Sequence, residues 1–388
     1  MNFAICLNAP QMKGFALFPL LLVGLLQNAA PASAQINKAS PSSSSRKTTT
    51  PVRRTVRKAP VLDPTEGDNV DGDDLTIRRA AVAALGNMNG SVVVVDPTNG
   101  RILSMVNQKL GLTSGFIPCS TIKLVTSLAA LTEQVVTRDA AIYVSRYVSY
   151  NLTTAIAHSN NQYFSILGNR LGFDRVTHYA QMLGLGELAG LDVPGEQPGV
   201  IPEKPPAAGG MGLMTAYGDG FLMTPLELGA LLSSIANGGT LYSLQYPRTE
   251  AEIEQFTPKV KRTLELAPNA ISDIKAGMRG AVDYGTATRA NYDPNEPILG
   301  KTGTCTDFRV SSHMGWFGSF NDVGRHQLVV VVMLTGTNKS TNGGVAAGVA
   351  GAIYHNLSDQ RYFAADATPD PKKKGLPEIT VTYPCCRQ

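Results

Sequence analysis

The sequence predicts an α+β fold: an antiparallel five-stranded sheet flanked by helices, with an all-helical subdomain between its strands. Three observations carry that prediction. Strand-like and helix-like segments are segregated rather than alternating, with two strands, a block of helices, three strands and a final helix. Short polar turns join the strands within each group, as they do between antiparallel neighbours. The run Leu328-Val-Val-Val-Val-Met-Leu334 is apolar without alternation, so both of its faces must be covered.

Each element has its own local signal. Residues 75–88 (LTIRRAAVAALGNM) have helical composition. Residues 91–96 are β-branched, Pro97-Thr98-Asn99-Gly100 supplies turn chemistry, and 101–106 form a second strand, which makes a hairpin. A helix starting near Ser120 runs through the apolar stretch 124–131. Residues 148–171 read mainly helical, with Gly172 as the stop. Residues 184–205 are rich in Gly and Pro and read as loop. The helix over 224–236 has Pro225 in its first turn and Asn237-Gly238-Gly239 beyond its end. Residues 269–284 form a further helix. The strands over 298–304, 312–319 and 327–334 follow, and then a small-residue-rich helix over 341–357.

With 388 residues, 43% of them hydrophobic, the chain can build one large domain or two small ones. We place the folded domain at 75–360. Residues 14–26 are an apolar run preceded by Lys13 and followed by Ala32-Ser33-Ala34, the pattern of a secretory signal over 1–34. Met12-Lys13 offers a second start for that signal. Cleavage after Ala34 predicts export to the periplasm or another extracytoplasmic compartment, and an uncleaved segment would leave a membrane anchor. Residues 35–74 read as a disordered linker, basic over 38–58 and acidic over 63–74. Its basic part could be drawn to membrane or cell-wall anions. Residues 361–388 read as a flexible tail. The net charge of +4 gives no reason to expect nucleic acid, and no motif predicts a metal or cofactor.

Three short motifs carry chemistry. In Ser120-Thr121-Ile122-Lys123 a hydroxyl and an amine stand three residues apart, on one face of a helix and roughly 5–6 Å apart at Cβ. That arrangement suits nucleophilic catalysis, although Ser44…Lys47 and Ser272…Lys275 share the spacing. Ser159-Asn160-Asn161 lies inside the predicted helical region, and Lys301-Thr302-Gly303-Thr304 on the first of the late strands.

Taken together and in this order, the motifs resemble those of penicillin-binding transpeptidase domains and serine β-lactamases. The resemblance extends over about 280 residues. It includes Val94 to Met105, Ser159 to Gly168, Pro194-Gly195-Glu196, Thr224 to Leu228, Ala236 to Gly239 and Gly315-Trp316-Phe317. It implies the β-lactamase/transpeptidase-like fold and an acyl-enzyme formed by Ser120. It further implies Lys123 as a base kept unprotonated by burial or a neighbouring cation. Ser159 would be the proton carrier, and Lys301 the second cation. Asn161, Thr302, Gly303 and Thr304 are implied in substrate binding, and the N–H groups of Ser120 and Thr304 in the oxyanion hole. The implied substrate is the D-Ala-D-Ala end of a peptidoglycan stem peptide, with β-lactams as inhibitors or substrates. A stand-alone DD-transpeptidase or DD-carboxypeptidase is expected. Tyr217-Gly218-Asp219-Gly220 departs from the family's Gly-Gln-Gly, which leaves that loop without an assigned role.

A cysteine pair resembling that of class A carbapenem-hydrolysing β-lactamases implies a Cys119–Cys305 disulfide, with two buried thiols as the alternative. Cys385 and Cys386 lie in the expected flexible tail and are open to cross-linking with another chain. Two other functions stay open: a serine β-lactamase, and a sensor that binds β-lactams without hydrolysing them. Against the former, no Glu-x-x-Leu-Asn is present, and Glu196 sits in a transpeptidase-like context.

Overall fold

A computed structural model of the chain describes residues 63–291, 293–322 and 326–364. The expected signal segment, the basic part of the linker, Cys385 and Cys386 lie outside the described residues. Five strands form the sheet: β1 (Gly90–Val95), β2 (Ile102–Val106), β3 (Ile298–Asp307), β4 (Ser312–Asn321) and β5 (Val329–Gly336). Their order is β2-β1-β5-β4-β3, and every pairing is antiparallel.

The early hairpin closes onto the last strand, Gly90 opposite Leu334 and Val95 opposite Val329. This pairing puts β5 in the middle of the sheet and accounts for its unbroken apolar run. Val329, Val331 and Met333 enter one apolar cluster, while Val330, Val332 and Leu334 enter the other. Each fully buried side chain of this kind contributes roughly 1.5–3 kcal/mol, so a polar residue on either face would be costly.

The helices that matter for the site are α1 (Leu75–Leu85), α2 (Lys123–Thr132), α3 (Leu152–Ala157), α4 (Asn161–Leu171), α5 (Phe173–Met182), α6 (Gly210–Tyr217), α7 (Pro225–Ala236), α8 (Ala270–Asp283) and α9 (Gly343–Asp359). The helical block from α2 to α7 feeds the first cluster, α8 reaches both, and α1 and α9 cover the opposite face of the sheet. No helix among the described residues is long and apolar enough to cross a membrane.

Four local expectations are corrected. The predicted start of the serine helix is a 3₁₀ turn, Cys119–Ile122, and the α-helix begins at Lys123. The predicted helical region 148–171 is two helices, because the Asn160 side chain accepts the Tyr163 N–H and starts α4 afresh. Ser159 is therefore in the connection, with φ +54°, and not inside a helix. The acidic segment 63–74, assigned to the linker, is part of the folded unit. Its Asp68 and Asp73 hold Arg78 at 2.8 and 2.9 Å, and Asp74 caps α1. At the other end, Tyr362 donates to Asp74 at 3.1 Å and Phe363 is buried, so the first residues assigned to the tail also belong to the fold.

The expected loop over 184–205 is pinned by two buried carboxylates. Glu227 completes a capping box with Thr224 and accepts the N–H groups of Gly186 and Gly199 at 2.8 and 3.0 Å. Glu196 accepts those of Ala189 and Gly190. Burial pushes Glu227 up to about 7 and also raises Glu196.

Candidate active site

The structure brings the three motifs to one cavity of about 190 Å³, lined by Ser120, Ser159, Asn161, Thr302 and Thr304. Local structure explains why each side chain arrives there. Lys123 is the first residue of α2, a helix buried from Lys123 to Leu131, and its side chain reaches back over the 3₁₀ turn to Ser120. The break between α3 and α4 leaves the Ser159 carbonyl outside helical pairing, and it accepts from Lys123 Nζ at 2.7 Å. Lys301 comes from β3, an edge strand of the sheet.

Three contacts dock the turn that carries Ser120 on β3 and its neighbour. Cys119 and Cys305 are joined as a disulfide with their Cα atoms 5.5 Å apart. Trp316 on β4 donates its indole N–H to the Ile117 carbonyl at 3.0 Å. Gly303 permits the close approach, since a Cβ there would stand 2.9 Å from the Pro118 carbonyl oxygen. Cys119 has φ +51°, the left-handed region that favours glycine. The cost of a non-glycine residue there is of order 1–3 kcal/mol and must be offset by the contacts that hold the turn.

Lys123 Nζ has four neighbours: Asn161 Oδ1 at 2.6 Å, the Ser159 carbonyl at 2.7 Å, and the hydroxyls of Ser120 and Ser159, each at 3.0 Å. The carbonyl and the amide oxygen can only accept. A neutral amine has two N–H groups, which these two oxygens satisfy, and its lone pair then faces a serine hydroxyl. Full burial first, and the charge of Lys301 second, hold Lys123 well below the usual lysine range. Lys301, equally buried, donates to Ser159 Oγ at 2.9 Å and to the Thr302 carbonyl at 3.0 Å, and burial pushes it to about 7. The Ser159 hydroxyl thus lies between the two amines. A single proton can pass through it from one side of the site to the other, as general acid–base chemistry requires.

Three residues outside the three motifs also line the cavity: Thr286, Gly344 and Tyr217, which opens the 217–220 stretch that had no assigned role. The Tyr217 hydroxyl accepts from Asn161 Nδ2 at 2.7 Å, which turns Asn161 Oδ1 toward Lys123. Thr286 shares a hydrogen bond of 2.7 Å with Thr302, and Thr304 Oγ1 accepts the Gly343 N–H at 2.8 Å. The N-terminus of α9 therefore borders the cavity, where its dipole favours an anion. No motif marks Thr286, and nothing in the 217–220 stretch shows that Tyr217 meets Asn161, because both are recruited across the fold rather than along the chain.

Tyr217→Phe tests this support. The variant should acylate about 10-fold more slowly, the usual worth of one hydrogen bond to a charged or reacting group. Losing the Asn161 acceptor should also lower the Lys123 pKa, so the acid limb of the rate profile should move to lower pH. A merely structural loss would leave that limb in place.

The family model for the penicillin binding protein transpeptidase domain matches residues 90–355. Stage V sporulation protein D of Bacillus subtilis is 27% identical over 309 residues, covering 67% of this chain and 48% of that protein. Peptidoglycan D,D-transpeptidase MrdA of Haemophilus influenzae is 23% identical, covering 78% of this chain and 57% of that protein. The chain spans about half the length of these relatives. Among solved structures, Pseudomonas aeruginosa PBP2 in complex with WCK 5153 shares the fold with a TM-score of 0.63 at 22% identity, covering 76% of this chain and 80% of that one. The D,D-transpeptidase domain of a peptidoglycan glycosyltransferase from Eggerthella lenta gives 0.59, also at 22% identity, covering 74% and 81%.

Proposed function

Since the chain belongs to the penicillin-binding protein transpeptidase family, we propose that it is a serine acyltransferase acting on D-Ala-D-Ala stem peptides of peptidoglycan, as a DD-transpeptidase or DD-carboxypeptidase. The observation that carries this reading is the contact of Lys123 Nζ with the Ser120 and Ser159 hydroxyls, with Lys301 on the far side of Ser159. Ser120 Oγ attacks the penultimate D-Ala carbonyl as its proton passes to Lys123. The N–H groups of Ser120 and Thr304 hold the oxyanion, each donor being worth about 10²–10³ in rate. As the C–N bond breaks, Ser159 delivers a proton to the leaving amine and is recharged by a lysine. Thr302, Thr304 and Lys301 receive the terminal carboxylate beside the N-terminus of α9. An acceptor amine, or water, then releases the acyl group from Ser120. Export through the 1–34 signal would place the enzyme with its substrate in the cell envelope.

Hydrolysis of β-lactams at speed would need a group that activates the deacylating water. Glu196 is poorly suited, since its carboxylate is spent on the N–H groups of Ala189 and Gly190. Mature protein incubated with a labelled penicillin and followed over time tests the reading. A stable adduct on Ser120, together with activity on D-Ala-D-Ala peptides, is the expected result. Turnover within seconds would make the protein a β-lactamase, and a stable adduct without peptide activity would make it a sensor. Absence of label on folded protein would overturn serine acylation altogether.

A further inference from the structure

Outside the catalytic cavity, aromatic side chains form a row along the surface beside α3 and α8. Tyr284, the residue that ends α8, is 53% exposed, and its ring centroid lies 5.7 Å from that of exposed His158. The His158 ring stands 6.5 Å from that of Tyr150 in turn. Tyr150 belongs to a two-stranded ribbon, Ile142–Tyr143 with Ser149–Tyr150, whose turn carries Tyr147, 82% exposed. Tyr150 also packs on the first apolar cluster, which anchors the row, whereas Tyr284 and Tyr147 keep most of their surface in water. Contiguous exposed apolar surface of this kind marks interaction sites.

Backbone contacts fix the row to the catalytic cavity. Thr286, which lines that cavity, donates its N–H to the Ala157 carbonyl at 3.1 Å. Gly285 comes so close that a Cβ there would stand 2.2 Å from the same oxygen. Tyr284 and His158 therefore meet where the chain turns in toward Thr286 and Ser159. The neighbouring charges are paired: Arg279 with Asp283 at 2.8 Å, and Arg138 with Asp139 at 3.2 Å and Asp273 at 3.6 Å. Farther out, Arg146 lies over the Tyr147 ring at 5.3 Å. Ring faces in locally neutral surroundings suit an uncharged partner better than a polyanion. A sugar is such a partner. The axial C–H groups of a pyranose make an apolar, weakly positive face that stacks on the negative face of an aromatic ring, and its hydroxyls stay in water.

We propose that this row is a platform for the sugar chain of the acceptor strand, the partner whose amine releases the acyl group from Ser120. The inference rests on the acyl-transfer reading and gives the acceptor its place. By microscopic reversibility the acceptor amine enters where the leaving amine departs. The leaving D-Ala is held by its carboxylate at Thr302 and Thr304, so an acceptor in its stead extends past Thr302 and its hydrogen-bond partner Thr286. That direction leads out over Tyr284, where the sugars of the strand would stack on Tyr284, His158 and Tyr150. None of these three side chains touches the reacting atoms.

The test pairs binding with transfer. Peptide-free peptidoglycan glycan strands are titrated into the whole protein in a calorimeter. Acyl transfer is then timed to a glycan-linked stem peptide and to the same peptide without sugar, each at limiting concentration. Wild type should bind the glycan, and Tyr284→Leu and Tyr150→Leu should each weaken that binding about 10-fold, the order of one aromatic contact. Tyr284→Phe, which keeps the ring, should bind as wild type does. Transfer to the glycan-linked acceptor should fall about 10-fold in the two leucine variants, with transfer to the sugar-free peptide and penicillin acylation unchanged. A wild type that binds no glycan would leave the row to a protein partner and overturn the assignment. So would a Tyr284→Leu protein that binds glycan as tightly as wild type, or equal losses with both acceptors. Failure of a labelled penicillin to acylate wild-type Ser120 would overturn the acyl-transfer reading itself, and the acceptor assignment with it.

Discussion

Lys123→Met should abolish acylation for practical purposes while leaving the protein folded and little changed in stability. Removing a general base costs about 10²–10⁴ in rate, and here the same side chain also anchors Ser159 and Asn161, so the upper part of that range is expected. The stability side follows from burial. Lys123 is fully buried beside a second lysine and held well below its usual pKa, which means that its charged form is disfavoured in the fold. An apolar chain of similar length avoids that penalty but leaves the Ser159 carbonyl and Asn161 Oδ1 without their donor, so two opposing effects nearly offset. Penicillin acylation and thermal unfolding measured on one preparation would check both parts. A variant that acylates at the wild-type rate would remove Lys123 from the mechanism.

The pH dependence has a definite sign. With Lys123 as the proposed base, acylation needs it without its proton, so the rate should rise with pH through its lowered pKa. With Lys301 as the proposed carboxylate partner, recognition needs it with its proton, so in the free enzyme binding should weaken as pH rises through about 7. The acylation efficiency should therefore be bell-shaped. For stability, Lys301 titrates near 7 when folded and near the ordinary lysine value, about 10.4, when unfolded. Between those values the unfolded chain holds the extra proton, so this group makes the fold more stable as pH rises across that window.

Opening the disulfide should produce the second large effect. The bridge joins residues 186 apart in sequence. In the chain-entropy model closure of so long a loop is worth about 5 kcal/mol, an upper figure. The bridge also docks the Ser120 turn, the proposed nucleophile, on β3, and a shift of about 1 Å there can cost 10²-fold in rate. We therefore expect the Cys119→Ala/Cys305→Ala protein to unfold at lower temperature and to acylate about 10–100-fold more slowly. The Cys119→Gly/Cys305→Ala protein should lose similar stability from the missing bridge. It should keep more activity, because glycine holds φ +51° without steric cost. Melting temperatures and acylation rates of the two pairs, beside wild type with and without reductant, would decide it. Identical rates for oxidised and reduced wild type would deny the bridge any part in positioning Ser120.

Much of this architecture is legible in the sequence because the deciding interactions are local or follow burial. The segregation of strands and helices gives the α+β class. The apolar run of β5 announces a strand covered on both faces, as its two clusters bear out. Thr224, Pro225 and Glu227 start α7 through a capping box confined to four residues. The break at Ser159 is harder to read. It depends on Asn160 capping a new helix in competition with continuing the old one, and composition across 148–171 does not separate the two outcomes. The acidic segment 63–74 looks like solvated linker until Arg78 supplies a partner for its carboxylates.

The candidate site divides along the same physical line. The types and spacing of Ser120, Lys123, Ser159, Asn161 and Lys301 are properties of the sequence, and so is their likeness to one family. The state of Lys123 is decided only in the folded chain. It depends on exclusion of water, on a second lysine 178 positions away in sequence, and on two oxygen acceptors delivered by the α3–α4 break. The contact of Tyr217 with Asn161 and that of Thr286 with Thr302 likewise enter only through tertiary packing. A side chain's partners across a sheet or between helices leave no periodic trace in the segment that carries it.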